Sequence, residues 1–236
     1  MSNKLITNDT LALICARGGS KGLRGKNLLK INGKPLIYFA IDKILKNNLK
    51  FNCISTDSLK ILNVSQKYGL KKFFKRPKKL STSGVSKLAV WKHALEKSEK
   101  FYDKKFKYVL DIEVTNPLTK PNDLRKFLKK FNKIKKNFDG MFCIRESSKN
   151  PYFNILVKKN NKFKIANILK NKVVARQRAP KTFDHIAAMY IFHSDYIRNT
   201  KHFLDGKLYG FETPLLKSID IDSKEDFELI KKILKK

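Results

Sequence analysis

Hydrophobic positions along the first 145 residues fall into short runs separated by longer stretches with a different spacing. A short apolar run bounded by polar or turn-forming residues is typical of a buried strand. Four such runs predict strands: LALICA (11–16), FNCIST (51–56), KYVLDIEV (107–114) and GMFCI (140–144).

Between these runs, apolar residues recur every three or four positions, as they do along one face of a helix. The segments with this spacing are 35–47, 58–69, 86–101 and 121–137. Pro35 opens the first of them and Gly69 closes the second, as expected at helix ends. Alternating strands and helices predict an α/β fold, with a mostly parallel sheet covered by helices on both sides.

The pattern changes after residue 145, where the region 145–182 interrupts the alternation. YFNILVKKNNKFKIANIL (152–169) contains two strand-like runs joined by a polar turn, which predicts a β-hairpin. Such a region could be an insertion, an arm or a subunit interface. The chain then returns to two predicted strands, AAMYIF (187–192) and SIDID (218–222), and a final helix, 224–234. We therefore expect a single domain over 1–236.

Charge is the most unusual feature of the composition: 53 Lys and Arg against 20 Asp and Glu give a net charge of +33. Nucleic-acid-binding proteins usually concentrate basic residues on one face and interleave aromatic residues among them. Here lysine is spread over nearly the whole chain, which favours a solvated basic surface over a nucleic-acid interface. A positive field still favours small polyanionic ligands.

The sequence also indicates a compartment. No apolar run approaches the length that crosses a membrane, and MSNKLITNDT lacks the apolar core of a signal peptide. Cys15, Cys53 and Cys143 lie far apart in apolar segments, which predicts buried free thiols in a reducing environment. These features predict a cytoplasmic protein without a membrane partner.

The stretch ICARGGSKGLRGKN (14–27) directly follows the first predicted strand and holds four of the ten glycines. Glycines allow backbone N–H groups to approach an anion closely, and the four basic residues of the stretch supply neutralising charge. Neither the P-loop pattern nor G-x-G-x-x-G is present. The stretch therefore predicts a loop that wraps a triphosphate with another geometry, at the carboxyl end of a strand. The alternative is a flexible basic surface loop.

The run ARGGSKGLRGKN (16–27), followed by GKPLI (33–37), resembles the N-terminal signature of the acylneuraminate cytidylyltransferases, the CMP-sialic acid synthetases. Three later segments are similar to that family's further motifs: CISTDS (53–58), ARQRAPKTFD (175–184) and SIDIDSKEDFEL (218–229). The resemblance implies a three-layer Rossmann-like nucleotidyltransferase fold. It also implies a homodimer in which the 145–182 hairpin is the dimerisation element.

The resemblance further implies a reaction. The anomeric hydroxyl of an acidic 2-keto sugar attacks the α-phosphorus of CTP, which releases pyrophosphate and requires Mg²⁺. Arg17, Lys21 and Asp220 are the implied catalytic residues. The implied nucleotide-binding residues are Ala16, Arg17, Gly18, Ser20, Lys21, Lys26, Asn27, Ser81 and Ser83, with Ser83 where the family commonly has aspartate.

Asp220 and Asp222 are the candidate metal ligands, because Mg²⁺ prefers hard oxygen donors. They alternate with isoleucines, so an extended strand would aim both carboxylates at one face. The alternative for Asp222 is a structural role, in which Asp222 or Ser223 caps the last helix and Glu225 or Asp226 completes a capping box.

The acceptor region departs from the family's pattern. In YVLDIEVTNPLTKPNDL (108–124), Glu113 stands where glutamine is usual, Asn116 replaces serine and Thr119 replaces arginine. Asp184 also replaces an arginine, which leaves Arg176 or Arg178 to bind a sugar carboxylate. The sugar-binding residues expected from the resemblance are Glu113, Thr115, Arg176 and Gln177, in an altered acceptor pocket.

Three alternatives to a nonulosonate cytidylyltransferase stay open at this point. A related enzyme could use another acceptor, such as the eight-carbon acid Kdo. A degenerate member could bind CTP without turnover. A non-catalytic basic protein could bind nucleic acid, with the net charge as its main support.

Overall fold

The strand β1 (Thr10–Cys15) runs through the interior of a seven-stranded sheet in the computed structural model, which describes residues 4–19, 22–70, 73–169 and 173–235. Leu11 and Leu13 pack into one hydrophobic cluster, whereas Ala12 and Ile14 pack into another on the opposite face. Because both faces are covered, β1 reads as a continuous apolar run rather than an alternating one.

The sheet has the order β11-β7-β10-β6-β1-β4-β5, in which β10 is antiparallel to both neighbours and every other pairing is parallel. Two short pairs, β2–β3 and β8–β9, lie outside it. After β1 the strands are β2 (Lys30–Ile31), β3 (Lys34–Pro35), β4 (Asn52–Thr56), β5 (Phe73–Lys75), β6 (Tyr108–Ile112), β7 (Gly140–Glu146), β8 (Leu156–Lys159), β9 (Lys162–Ile165), β10 (Phe183–His193) and β11 (Leu208–Glu212).

Helices cover both faces of the sheet. They are α1 (Lys4–Asn8), α2 (Leu36–Lys46), α3 (Leu59–Lys67), α4 (Lys87–Tyr102), α5 (Pro121–Ile134), α6 (Ser194–Asn199) and α7 (Lys224–Lys235). The larger hydrophobic cluster joins the sheet to α2, α3, α5 and α7, and the smaller one joins it to α4 and α6. This arrangement confirms the predicted three-layer α/β fold. None of the helices in the described ranges combines the length and the apolar character that a bilayer crossing requires.

The prediction of a strand over SIDID was wrong. A short 3-10 turn, Leu215–Ser218, is followed by irregular backbone up to the start of α7. Ile221 is fully buried in the core, and its N–H donates to the carbonyl of Thr115 at 3.0 Å. Residues 219–222 therefore form a loop that Ile221 anchors in the core, and the alternation of isoleucine and aspartate does not reflect a strand.

The predicted hairpin is present as β8 and β9, which pair antiparallel around Asn160 and Asn161. Both asparagines have positive φ, 47° and 59°, which a two-residue turn of this kind requires. Most of the hairpin is exposed. Its role in dimerisation, and the bounds 145–182 of the insertion, stay predictions.

The three cysteines are free thiols. Cys53 and Cys143 are buried, as expected, and burial raises their pKa to about 12 and about 11. Cys15 is less deeply buried and ends β1, where a cleft opens.

Candidate functional site

A cleft of about 320 Å³ opens at the carboxyl ends of β1 and β6. The loop after β1 forms one wall, the segment 219–222 forms the other, and residues that follow β6 lie between them. Its lining residues are Cys15, Arg17, Gly22, Lys26, Asn27, Lys87, Glu113, Val114, Thr115, Ala187, Asp220 and Asp222.

The loop after β1 is held by hydrogen bonds of its own backbone. The N–H of Ala16 donates to Ser55 O at 3.1 Å, and the N–H of Gly18 donates to Asp57 Oδ1 at 2.7 Å. The buried Asn27 donates its amide to Arg17 O at 3.0 Å and so closes the loop onto itself. Asn27 therefore holds the loop in its closed form, and both Arg17 and Asn27 line the cleft. Their contacts with a nucleotide stay predictions.

Two members of the predicted phosphate loop, Ser20 and Lys21, lie outside the described residues. The predicted catalytic role of Lys21 therefore stays a prediction.

The two walls are joined directly. Lys26 Nζ donates to Ile221 O at 2.7 Å and to Asp222 Oδ1 at 2.9 Å. A Cβ at Gly22 would lie 2.4 Å from the carbonyl oxygen of Asp222, which is closer than real Cβ contacts. Glycine is thus required at position 22 because the opposite wall passes against its backbone.

Asp220 is the more buried of the two carboxylates that line the cleft from the second wall. Burial raises the pKa of its carboxyl group, a hydrogen bond from Thr115 opposes that shift, and the neighbouring Asp222 adds to it. An ionised carboxylate in such surroundings is costly without a cation, so Asp220 fits a metal ligand. No group of three metal-ligating side chains occurs in the described ranges, so water and phosphate oxygens would complete a Mg²⁺ shell.

Asp222 has different surroundings, with 78% of its side chain exposed. The cap of α7 is Ser223: its Oγ accepts from the N–H of Asp226 at 3.1 Å, and Asp226 Oδ2 accepts from the N–H of Ser223 at 2.8 Å. One of the two capping alternatives is therefore confirmed, with Ser223 as the cap. The carboxylate of Asp222 is left to pair with Lys26.

Lys87 is a cleft residue that the sequence analysis missed. It begins α4 and forms ion pairs with Glu113 and with Asp111 Oδ2, the latter at 2.8 Å. Asp111 is nearly fully buried and also accepts from Trp91 Nε1 at 2.9 Å. A cation at a helix N-terminus is unfavourable unless it is paired. A lysine at the start of a predicted helix, together with Asp111 in β6 and Glu113 just after it, is the signal by which Lys87 could have been found.

The strand β10 contributes Ala187 through an irregularity in its pairing with β7. The register shifts between Ile186 and Tyr190, so residues 187–189 are extra on β10. Bulges of this kind often redirect a side chain beside an active site.

The predicted acceptor residues fall into two places. Glu113 and Thr115 line the cleft, whereas Arg176 and Gln177 line a second cleft of about 380 Å³ near the base of the hairpin. Among the described residues, none lines both clefts. The substitution at Asp184 is explained locally, because Asp184 accepts from Arg145 Nη2 at 2.5 Å and from Ser147 Oγ at 2.6 Å.

Two of the departures from the family's pattern do not line the cleft. Asn116 and Thr119 are buried, with 0% and 3% of their surface exposed. The Asn116 side chain donates to Lys217 O and Ile219 O, and Thr119 Oγ1 donates to Asn116 O. Their effect on the acceptor pocket stays a prediction. Two other predicted nucleotide residues, Ser81 and Ser83, follow a short 3-10 turn and do not line the cleft.

Comparison with known proteins gives a consistent picture. A family model described as "Cytidylyltransferase" matches residues 11–236. The chain is 34% identical to a CMP-N,N'-diacetyllegionaminic acid synthase of Campylobacter jejuni, over 94% of this chain and 93% of that protein. It is 31% identical to the post-translational flagellin modification protein B of Campylobacter coli, over 97% and 96% of the two chains.

A solved structure with a similar fold is a CMP:2-keto-3-deoxy-manno-octonic acid synthetase complexed with CTP. It matches with a TM-score of 0.68 at 16% identity, over 96% of this chain and 98% of that chain. At that identity the likeness supports the fold alone.

Proposed function

Since this chain belongs to the cytidylyltransferase family, we propose that it transfers CMP from CTP to the anomeric hydroxyl of a nonulosonic acid, with release of pyrophosphate. The observation that carries the proposal is the joined cleft, in which Lys26 ties the glycine-rich loop to the segment that bears Asp220. A cleft with cations on one wall and a carboxylate on the other suits the phosphates of a nucleotide and their metal ion.

Phosphoryl-type transfer depends mostly on positioning and on electrostatic stabilisation of the phosphates. In this cleft Arg17 and Lys26 supply positive charge, and Gly22 keeps the loop close to the second wall. The triphosphate accordingly lies between residues 16–27 and residues 219–222. Lys21 completes the set of cations in our proposal.

Mg²⁺ is the cofactor in this proposal, and Asp220 is its main protein ligand. When bound, Mg²⁺ neutralises charge on the phosphates. The raised pKa of Asp220 and its hydrogen bond from Thr115 support the assignment. Asp222 contributes through its pair with Lys26, which holds the wall in place.

The acceptor binds beyond the phosphates, against Glu113, Thr115 and Lys87. Because Glu113 is paired with Lys87, this end of the cleft offers both a hydrogen-bond acceptor and a cation. The second cleft, with Arg176 and Gln177, belongs to the acceptor site if two subunits bring the clefts together. We include a homodimer in the proposal for that reason.

A pyrophosphate-release screen tests the function. Four nucleoside triphosphates are combined with a panel of 2-keto sugar acids that includes sialic, legionaminic and pseudaminic acids and Kdo, with and without Mg²⁺. We expect release with CTP, a nonulosonic acid and Mg²⁺ together. Release with Kdo alone would reassign the acceptor, and CTP binding without release from any pair would indicate a non-catalytic protein.

A further inference from the structure

Lys43 is a charged residue in the interior of the protein. It lies on α2, between apolar residues that pack against the sheet, and only 1% of its surface is exposed. Lysine is almost never buried this completely without specific partners, because its charged form loses solvation. Such a residue therefore calls for an explanation other than packing.

The amine of Lys43 has two partners in the described part of the chain. Its Nζ donates to the carbonyl of Asn116 at 2.9 Å and to Oγ1 of Thr119 at 2.5 Å. These two bonds use part of the amine's donor capacity. Burial lowers the pKa of Lys43 to about 7.

The loop that Lys43 holds is connected in turn to the second wall of the cleft. The buried side chain of Asn116 donates to Lys217 O at 2.9 Å and to Ile219 O at 3.1 Å. One residue earlier, Thr115 O accepts from the N–H of Ile221 at 3.0 Å, and the Thr115 side chain bonds to Asp220. Hydrogen bonds therefore run without a gap from α2 to the cleft.

We propose that Lys43 is a positioning residue, which fixes the loop 115–119 against residues 217–221 and thereby holds Thr115 and Asp220 in their places in the cleft. This inference rests on the proposed function through the role of Asp220. It also gives Asn116 and Thr119 a purpose, because both are members of the network that Lys43 organises.

Positioning and stability can be separated at this site. In Lys43→Met the side chain is one atom shorter but remains unbranched, and Asn116 O keeps a donor because Thr119 Oγ1 bonds to it at 2.9 Å. Replacing a buried polar group while leaving no unpaired carbonyl costs little stability. The loop 115–119 nevertheless loses its hydrogen bonds to α2. We therefore expect metal binding in the cleft to weaken more than the stability of the fold.

The experiment measures Mn²⁺ binding in the presence of CTP by electron paramagnetic resonance, together with hydrogen exchange of the Ile221 amide. We expect Lys43→Met to weaken Mn²⁺ binding by about tenfold or more, as changes behind a metal ligand commonly do. Exchange at Ile221 should become faster, while metal-free CTP affinity and the melting temperature stay near wild type. Lys46→Met is the matched control on the same helix, because Lys46 is exposed and pairs with Asp42.

A second variant checks the path. Asn116→Ala interrupts the network downstream of Lys43, because the Asn116 side chain no longer donates to Lys217 O and Ile219 O, so the double variant with Lys43→Met should bind Mn²⁺ no more weakly than Asn116→Ala alone. Unchanged Mn²⁺ affinity and unchanged Ile221 exchange in Lys43→Met would overturn the inference. So would a loss of Mn²⁺ affinity that merely follows a general loss of stability. If wild type releases no pyrophosphate in the nucleotide screen, the proposed function fails, and the exchange comparison still decides the role of Lys43.

Discussion

At the scale of single residues, Gly22 is the point where the two walls of the cleft come closest. Gly22→Ala places a methyl group against the Asp222 carbonyl, so one wall must move. We expect the KM for CTP to rise by about tenfold or more, because positioning errors of this size are costly in catalysis. Steady-state kinetics with varied CTP would measure it.

Gly19→Ala is the control for that change, since nothing lies within 4 Å of a Cβ at Gly19 in the same loop. Its kinetics should stay near wild type. A similar loss in both variants would mean that loop flexibility, rather than contact with the second wall, sets the KM.

The buried carboxylate of Asp220 lowers the free energy of unfolding at neutral pH when no cation is bound. Its pKa is raised in the folded protein, so its contribution to stability is greatest below the ordinary carboxyl pKa and is lost as the pH rises through the raised value. Asp220→Asn should therefore unfold at a higher temperature than wild type at neutral pH without divalent cations, with the difference shrinking towards about pH 4. Thermal unfolding at several pH values would measure this.

The same Asp220→Asn variant should lose turnover, because the cation loses its carboxylate. Asp222→Asn is the control: its side chain is exposed, so its removal relieves no burial and breaks the pair with Lys26. A gain in thermal stability for Asp222→Asn alone would contradict this account of the second wall.

At the scale of elements, sequence spacing identified the strands and helices that are long and covered by the core. It missed β5 and β11, which lie at the two edges of the sheet. Edge strands have fewer neighbours, and β11 contains Gly210, where a Cβ would lie 2.4 Å from Ile144 Cδ1. Their apolar pattern is weak because packing covers them incompletely. SIDID was wrongly predicted as a strand for the opposite reason. It is a loop anchored in the core by Ile221, and its alternating isoleucines and aspartates resemble the pattern of a strand.

The hairpin gives the prediction at this scale. Its register places Leu156, Phe163 and Ile165 on one face together with Lys158, whereas the other face carries Val157 and three lysines. Phe163 and Leu156 are 65% and 55% exposed and share this face, so it is the face that a second subunit would cover in our proposal. We expect Leu156→Ser/Phe163→Ser to convert a dimer into a monomer, as measured by sedimentation velocity.

Val157→Ser, on the lysine-rich face, is the control and should leave the dimer intact. A wild-type protein that sediments as a monomer would contradict the dimer in our proposal, and would leave the second cleft without a link to the acceptor site.

At the scale of the whole molecule, the net charge of +33 acts on every approaching anion. CTP is strongly anionic, so we expect its KM to rise as salt shortens the range of the field, from about 10 Å at 0.1 M to about 3 Å at 1 M. The kcat should change less, because the interactions inside the cleft are shielded from salt. A KM that stays constant over this range would show that the surface charge has no part in binding.

The position of the cleft was predictable where its lining residues are neighbours in sequence, as in the described part of the glycine-rich loop and the pair Asp220 and Asp222. It was not predictable where function arises from contacts between distant segments. Lys43 and Asn116 are 73 residues apart, and Lys87 meets Asp111 across 24. Single-sequence patterns carry no record of such pairs, so the buried lysine read as part of an amphipathic helix.

The bond between Lys26 and Asp222 spans 196 residues, which has a consequence for synthesis. As the nascent chain leaves the ribosome, the glycine-rich loop emerges long before residues 221 and 222, to which Lys26 is hydrogen-bonded. The interior strands can pair during translation, since β1, β4 and β6 all precede residue 113. Nucleotide affinity should therefore arise late, only after residues 219–222 have left the exit tunnel.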